Sequence, residues 1–406
     1  MIEIKDKKDC CGCSACVQRC PKQCITLKED NEGFLYPIVD KKTCIDCGLC
    51  EKVCPILHQG EPQKPLKVYA AKNLNEEIRR QSSSGGIFTL LAEQVIQEGG
   101  VVFGARFDEN WEVKHDYTET IEGLAVFRGS KYVQSRIEDN YKKAEEFLKQ
   151  GRKVLFSGTP CQIAGLKRFL RKEYEELLTV DFVCHGVPSP GVWRKYLKET
   201  VARMCDKNSV STDPISMENA RIESISFRDK SRGWKKFSFA LTLSATSRSG
   251  AKNTVSLCEI FPQNTFMKGF LADLYLRPSC YACRAKCGKS DSDITIADLW
   301  GAPFIIENDD DDRGTSLVLV YRDRCKLDKS LWMKEIDYQD ALVYNSAIER
   351  SARIPKGRGS FYGDFHDTAS LGRLVNKLTR VSLMKKTLRL VKRLVRGGVR
   401  TILKRT

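Results

Sequence analysis

Cys10, Cys13, Cys16 and Cys20-Pro21, then Cys44, Cys47, Cys50 and Cys54-Pro55, repeat one spacing twice within the first 55 residues of the chain. Thiolates three residues apart let one tight loop meet three corners of a 4Fe-4S cube, while the fourth corner needs a distant cysteine. Where two such runs pair, the fourth cysteine of each serves the other's cluster. The expected ligand sets are therefore Cys10, Cys13, Cys16 and Cys54 for one cluster and Cys44, Cys47, Cys50 and Cys20 for its neighbour. Proline after each fourth cysteine turns the chain away without offering a competing donor. Disulfides need an oxidising compartment, and the charged start Met1-Ile2-Glu3-Ile4-Lys5 lacks the apolar run of a secretion signal. Zinc prefers two C-x2-C halves per metal, which three cysteines at successive spacings of three overshoot. Cys11 and Cys24 are left over and are expected to be packed thiols.

A second set is looser. Cys280, Cys283 and Cys287 share one segment, Cys161 begins a predicted helix directly after a strand, and Cys184 falls just past the end of the next strand. Ligands gather at the carboxyl ends of parallel strands, so these five compete for four places on a third 4Fe-4S cluster. The spacing alone leaves zinc or simple burial open. Cys205, Cys258 and Cys325 stand apart from any motif and are expected in the core.

Two turns suit a phosphate. Ser82-Ser83-Ser84-Gly85-Gly86 opens a helix, and Ser157-Gly158-Thr159-Pro160 leads from strand to helix. Hydroxyls and glycine N–H groups at a helix start favour an anion, although serine is also an ordinary N-cap. Joined to electron-carrying clusters, they point to a flavin, which converts two-electron hydride chemistry into the single electrons that clusters accept.

The elements that must position these groups alternate. Strands are expected at 68–72, 101–107, 153–156, 178–183, 293–297 and 316–321, with helices to 97 and over 140–150, 161–171 and 190–203, a loop at 204–220, and extended segments at 222–228 and 236–247. That order predicts an α/β core with a mostly parallel mixed sheet. An α+β ferredoxin-like iron–sulfur domain (1–60) precedes it, residues 61–67 form a linker, the core spans 68–365, and a basic C-terminal helix, an amphipathic tail, occupies 371–406. Residues 371–406 hold 12 Lys and Arg and no acid, so the net charge of +16 falls to +4 over the rest of the chain. A body so nearly balanced is not expected to bind nucleic acid. No apolar run approaches the roughly 20 residues that span a bilayer, so the expected location is cytoplasmic. Apolar residues at helical spacing among the tail's lysines and arginines suit an anionic membrane surface at the inner face, or a partner's groove.

Ser84-Gly85-Gly86, Lys131-Tyr132-Val133-Gln134-Ser135, Gly158-Thr159-Pro160-Cys161-Gln162, Asp181-Phe182-Val183-Cys184-His185-Gly186, Phe227-Arg228-Asp229-Lys230 and Asp293 to Gly301 together resemble the coenzyme F420 hydrogenase/dehydrogenase beta subunit family over about residues 68–365. A two-cluster ferredoxin domain fused in front is a familiar variant of that family. The resemblance implies FAD, a further 4Fe-4S cluster with Cys161, Cys184, Cys280 and Cys283 as preferred ligands and Cys287 in reserve, and hydride exchange with coenzyme F420 or a related substrate. Ser84, Gly85, Gly86, Gly158, Thr159, Pro160 and Gln162 are the cofactor-binding candidates. His185 is a candidate proton donor or an orienting residue; Lys131 and Arg228, with Lys230, are candidates for phosphate or an acidic substrate, or solvated charges. Two readings follow: an iron–sulfur flavoprotein oxidoreductase serving a redox partner protein or small hydride carrier, or a non-catalytic adaptor that docks a redox partner.

Overall fold

The computed structural model describes residues 1–207, 216–246, 252–324 and 330–380. In the N-terminal domain, Ser14 and Gly48 take left-handed backbone and open two short helices, Ala15–Arg19 and Leu49–Lys52. Each helix carries the third cysteine of one run, Cys16 and Cys50. Between them an antiparallel hairpin, β1 (Ile25–Glu29) and β2 (Leu35–Val39), sets Ile25 opposite Val39.

The core chain then lays down β3 (Lys67–Asn73), β4 (Val101–Phe107), β5 (Val113–Thr118), β6 (Val154–Gly158), β7 (Leu177–Phe182), β8 (Arg221–Asp229), β9 (Ser238–Thr246), β10 (Lys252–Ile260), β11 (Ile294–Asp298), β12 (Ser316–Val320) and β13 (Leu331–Glu335). Eight of these form one sheet in the order β13-β3-β12-β11-β7-β6-β4-β5, and β8, β9 and β10 form a separate antiparallel sheet. Only the centre, β4-β6-β7-β11, is parallel. The flanks β5, β12, β3 and β13 pair antiparallel, which corrects the expected mostly parallel sheet. The reason is plain at β5: five residues separate it from β4, long enough for a hairpin and too short for a parallel crossover.

Alternate residues of the central strands face opposite ways. Phe103, Val154, Phe156 and Leu177 pack under the helices Asn140–Lys149 and Pro160–Leu170, whereas Val102, Leu155, Leu178 and Val180 pack under the helix Ile87–Gln97. Both faces are therefore covered, as buried parallel strands require. The carboxyl ends of β6 and β7 are left open for ligand-bearing residues.

Two expectations about the ends change. The segment written as a linker is docked: Gln63 N–H donates to the Cys287 carbonyl at 2.9 Å and its amide to Asp291 at 3.0 Å, and Leu66 N–H reaches Val320. The first turns of the expected tail are core, since the helix Leu371–Thr379 buries Leu371, Leu374 and Val375 in the largest apolar cluster. Residues 381–406, and Cys325, lie outside the described residues. Cys205 is buried as expected, but Cys258 is exposed on β10. Among the described residues no helix is long and apolar enough to cross a membrane.

Candidate functional site

The cysteines of the doubled motif lie close together in the N-terminal domain. Cys20, Cys44, Cys47 and Cys50 line one small cavity of about 20 Å³, with Cys24 beside them at 3.4 Å from the Cys20 sulfur. Cys10, Cys54 and Cys50 act electrostatically on Cys16, and Cys16 and Cys54 act on Cys13, so the first run meets the fourth cysteine of the second. Backbone N–H groups already point at sulfur: Ile2 to Cys50 at 3.2 Å and Asp46 to Cys44 at 3.4 Å. Such bonds stabilise the thiolate charge that iron ligation needs.

The scattered cysteines of the core also converge. Cys161, at the start of the helix after β6, Cys184, two residues past β7, and Cys280 and Cys283, on the turn Pro278–Ala282 and its end, line one cavity of about 40 Å³. Val187 N–H points at the Cys280 sulfur at 3.4 Å. Burial pushes the Cys184 thiol up to about 12, so without a metal it keeps its proton. Cys287 lies outside this cavity, its thiol 3.7 Å from the Glu349 carbonyl. Cys11, expected as a bystander, lines the cavity, where its thiol interacts with those of Cys13 in the N-terminal domain and Cys161 in the core. Among the described residues no three His, Cys, Asp or Glu side chains close around a single metal ion. A cube held at four separate corners asks for a wider arrangement than one ion does.

Beyond Cys184 opens a cavity of about 560 Å³, within the roughly 300–1,000 Å³ of ligand pockets. Its wall includes Ser84, Gly86, Gly158, Thr159 and Gln162. Gly86, in left-handed backbone, precedes the helix Ile87–Gln97, whose first turn has no side-chain cap, and Ile87, Phe88 and Thr89 face the cavity. Open N–H groups there, with Ser82, Ser83 and Arg128 beside them, suit an anion. Gly85 does not face the cavity. A Cβ on it would lie 2.5 Å from the Ala71 carbonyl, so glycine is needed for close packing of the turn on β3. Pro160 faces the cysteine cavity instead. At the second turn Gln162 accepts from Thr159 N–H at 2.9 Å, which occupies part of the expected phosphate cradle, while the Thr159 hydroxyl lies 3.2 Å from the Cys161 sulfur.

Three residues on this wall carry buried polar atoms with no partner: His115 Nδ1, Arg228 Nε and Asn345 Oδ1. His115 Nε2 lies 3.0 Å from the Ser157 carbonyl and must donate to it, which leaves Nδ1 as an acceptor. Burial pulls this histidine down to about 4, so it stays neutral. Orphaned donors and acceptors are costly unless a polar ligand meets them; the wall fits a large polar cofactor such as a flavin. Arg228 was already a candidate from the sequence, but His115 and Asn345 were not legible locally, because a lone histidine on an edge strand has no spacing signature.

The charged candidates are more committed than expected. Lys131 Nζ donates to the carbonyls of Phe127, Arg128 and Gly129, and Lys230 Nζ to those of Arg79, Ser84 and Arg313. Burial pulls both lysines to about 7, while three carbonyl acceptors each favour the charged form. Arg228 is buried, paired with Asp298 at 2.8 Å, and stacked over Phe237 at 4.0 Å. Arg228 and Lys230 brace the Ser82–Gly86 turn and Lys131 the turn at 127–129, rather than hang in solvent. His185 sits between the two cavities, and its Nε2 lies 2.5 Å from Asp273. Asp181, a further lining residue, is held near neutrality: burial lifts its carboxyl to about 7.

Cysteine sets beside a ligand-sized cavity on an α/β sheet are the arrangement of an iron–sulfur electron-transfer oxidoreductase. Residues 68–139 match the model for the N-terminal part, and residues 151–327 that for the C terminus, of the coenzyme F420 hydrogenase/dehydrogenase beta subunit; residues 9–56 match a 4Fe-4S dicluster domain. The chain belongs to the coenzyme F420 hydrogenase/dehydrogenase beta subunit family, with a 4Fe-4S domain at its N-terminus. Among solved structures, it is similar to a chain of the F420-reducing [NiFe] hydrogenase complex from Methanosarcina barkeri, with 18% identity and a TM-score of 0.41 over 70% of this chain and 91% of that one. No curated protein sequence matches it.

Proposed function

We propose that the chain is an iron–sulfur flavoprotein oxidoreductase subunit with FAD in the 560 Å³ cavity, a third 4Fe-4S cluster among Cys161, Cys184, Cys280 and Cys283, and two more in the N-terminal domain. FAD supplies the exchange of a hydride for single electrons, the currency that iron–sulfur centres take. The observation that carries the reading is adjacency in series. Cys184, His185, Gly186 and Val187 wall both cavities, and Cys11, Pro55 and Ile56 of the N-terminal domain wall the cysteine cavity as well.

The residues divide the work. The open helix end after Gly86, with Ser82 and Ser83, would hold the anionic part of the cofactor, and neutral His115 would offer Nδ1 as an acceptor. Lys131 and Lys230 fix the turns that shape this end. His185, paired with Asp273 between the two cavities, is placed to hold a proton there. The family's name makes coenzyme F420 or a related hydride carrier the substrate class, and a subunit role makes a redox protein the partner.

Purification without oxygen tests this directly: about twelve iron atoms and one FAD per chain are expected, and fewer than about eight iron atoms, or no flavin, would refute it. The second reading, an adaptor without turnover, is favoured by one observation, that Lys131, Arg228 and Lys230 are all engaged with protein acceptors. Rapid reduction of bound flavin by reduced F420 or a nicotinamide excludes it; flavin that answers only to a protein partner supports it.

A further inference from the structure

Arg277 is 1% exposed and stands at the joint between the N-terminal domain and the core. Its Nε donates to the Cys10 carbonyl at 2.7 Å, Nη1 to Gln134 Oε1 at 2.9 Å, and Nη2 to the Leu35 carbonyl at 2.9 Å and the Cys10 sulfur at 3.5 Å. The ring of Tyr36 lies 4.3 Å from the guanidinium carbon. Gly12 makes room for it: a Cβ there would come within 2.8 Å of Nη1, and the backbone is left-handed.

The other deeply placed arginines each have a carboxylate. Arg79 meets Asp311 at 2.6 Å, Arg228 meets Asp298 at 2.8 Å, and Arg358 meets Glu32 at 2.5 Å. Arg277 has none among the described residues; the groups whose charge reaches it most strongly are Cys10, Tyr36, Cys11 and Cys280. A buried guanidinium without a counter-charge is costly. A 4Fe-4S cluster on four thiolates is an anion in both redox states and gains negative charge on reduction. It supplies the missing partner at Cys10. Of the other cations near the N-terminal cysteines, the Met1 amine already has Asp46 and Glu51, and Arg284 has Asp9.

We propose that Arg277 is the buried counter-ion of the cluster held by Cys10, Cys13, Cys16 and Cys54, a positioning residue that raises this cluster's reduction potential and ties the domain joint to its presence. The inference rests on the cluster reading above. Because Arg277 stands three residues before Cys280, one stretch of chain carries both the counter-ion of this cluster and a ligand candidate of the core cavity. A cation there favours the state in which the electron has arrived.

The test is an EPR-monitored redox titration, with iron content, on full-length wild type, Arg277→Gln and Arg277→Lys purified without oxygen. In Arg277→Gln one cluster, the one whose signal Cys54→Ala abolishes, should become at least tenfold harder to reduce, a fall of about 59 mV for one electron, with the other centres unmoved. Arg277→Lys should stay within about threefold of wild type because it keeps the charge. An iron-replete Arg277→Gln with wild-type potentials overturns the proposal, as does a lysine variant that shifts as far as glutamine. Should Arg277→Gln lose iron, retention in Arg277→Lys supports the counter-ion role and loss in both overturns it. A wild-type chain without iron overturns the cluster reading and this inference together; an iron-replete wild type beside an unshifted variant overturns the inference alone.

Discussion

Ending the chain at Ser370 should unfold it, whereas ending it at Arg380 should not. The helix Leu371–Thr379 carries Leu371, Leu374 and Val375, which are 1%, 4% and 0% exposed. Full burial of such a side chain contributes about 1.5–3 kcal/mol, so the three together contribute about 4–9 kcal/mol. Leu371 N–H also meets the Glu199 carboxylate at 2.9 Å, and burial already lifts that carboxyl above its usual range. Removing the donor adds about 1–3 kcal/mol of unsatisfied polar burial. The total is comparable with a whole domain's net stability of about 5–15 kcal/mol. The assay is thermal and urea unfolding of chains ending at Thr406, Arg380 and Ser370, all handled without oxygen. A chain ending at Ser370 that melts with the full-length protein would refute the packing argument. The same three chains address the basic tail: if the chain ending at Arg380 sediments with anionic vesicles at low salt as well as the full-length one, residues 381–406 are not a membrane anchor and the partner-helix reading replaces it.

Cys280→Ala or Cys283→Ala should remove about four of about twelve iron atoms, and Cys54→Ala and Cys20→Ala should abolish different EPR signals; loss of the same signal would contradict the exchanged fourth ligands. Glu32→Gln strips the charge from the ion pair that Glu32, in the N-terminal domain, makes with Arg358 near the C-terminus. Since both side chains are mostly buried, a loss of about 2–4 kcal/mol is expected in denaturant unfolding, and a change under about 0.5 would count against the pair. Asp181 gives a pH signature: its folded value of about 7 against an ordinary 3.8 means the folded chain holds a proton that the unfolded chain releases. That stabilisation is full below about pH 4 and is lost as pH rises through about 7, by up to about 4 kcal/mol, while Asp181→Asn should flatten the profile; parallel profiles would show the carboxyl is ionised in the fold.

What the sequence made legible is what local geometry dictates. Three cysteines on one loop announce a cluster because the metal itself fixes their spacing, and β4, β6 and β7 read as apolar runs because both their faces are covered. Strands with one face in solvent were lost: β5, β10 and β13 carry charge on alternate or end positions and look like loops. Long-range partners were lost for another reason. Arg277 meets Cys10 across 267 residues and Arg358 meets Glu32 across 326, and no periodicity records such a pairing. Gly85 misled because a glycine that admits a phosphate and one that admits a neighbouring strand are written alike.

The docking of residues 60–66 onto the core has a kinetic meaning. A redox module on a loose tether must swing to its donor, so its delivery rate falls in viscous solvent and changes with tether length. Here Gly60 packs against the Lys289 carbonyl, Gln63 is hydrogen-bonded at both its backbone and its amide, and Arg277 closes the joint from the other side. The module cannot swing without breaking these contacts. On the proposed function, internal electron delivery should be indifferent to glycerol and sucrose, and a gate on turnover is expected where the chain meets its substrate or its partner.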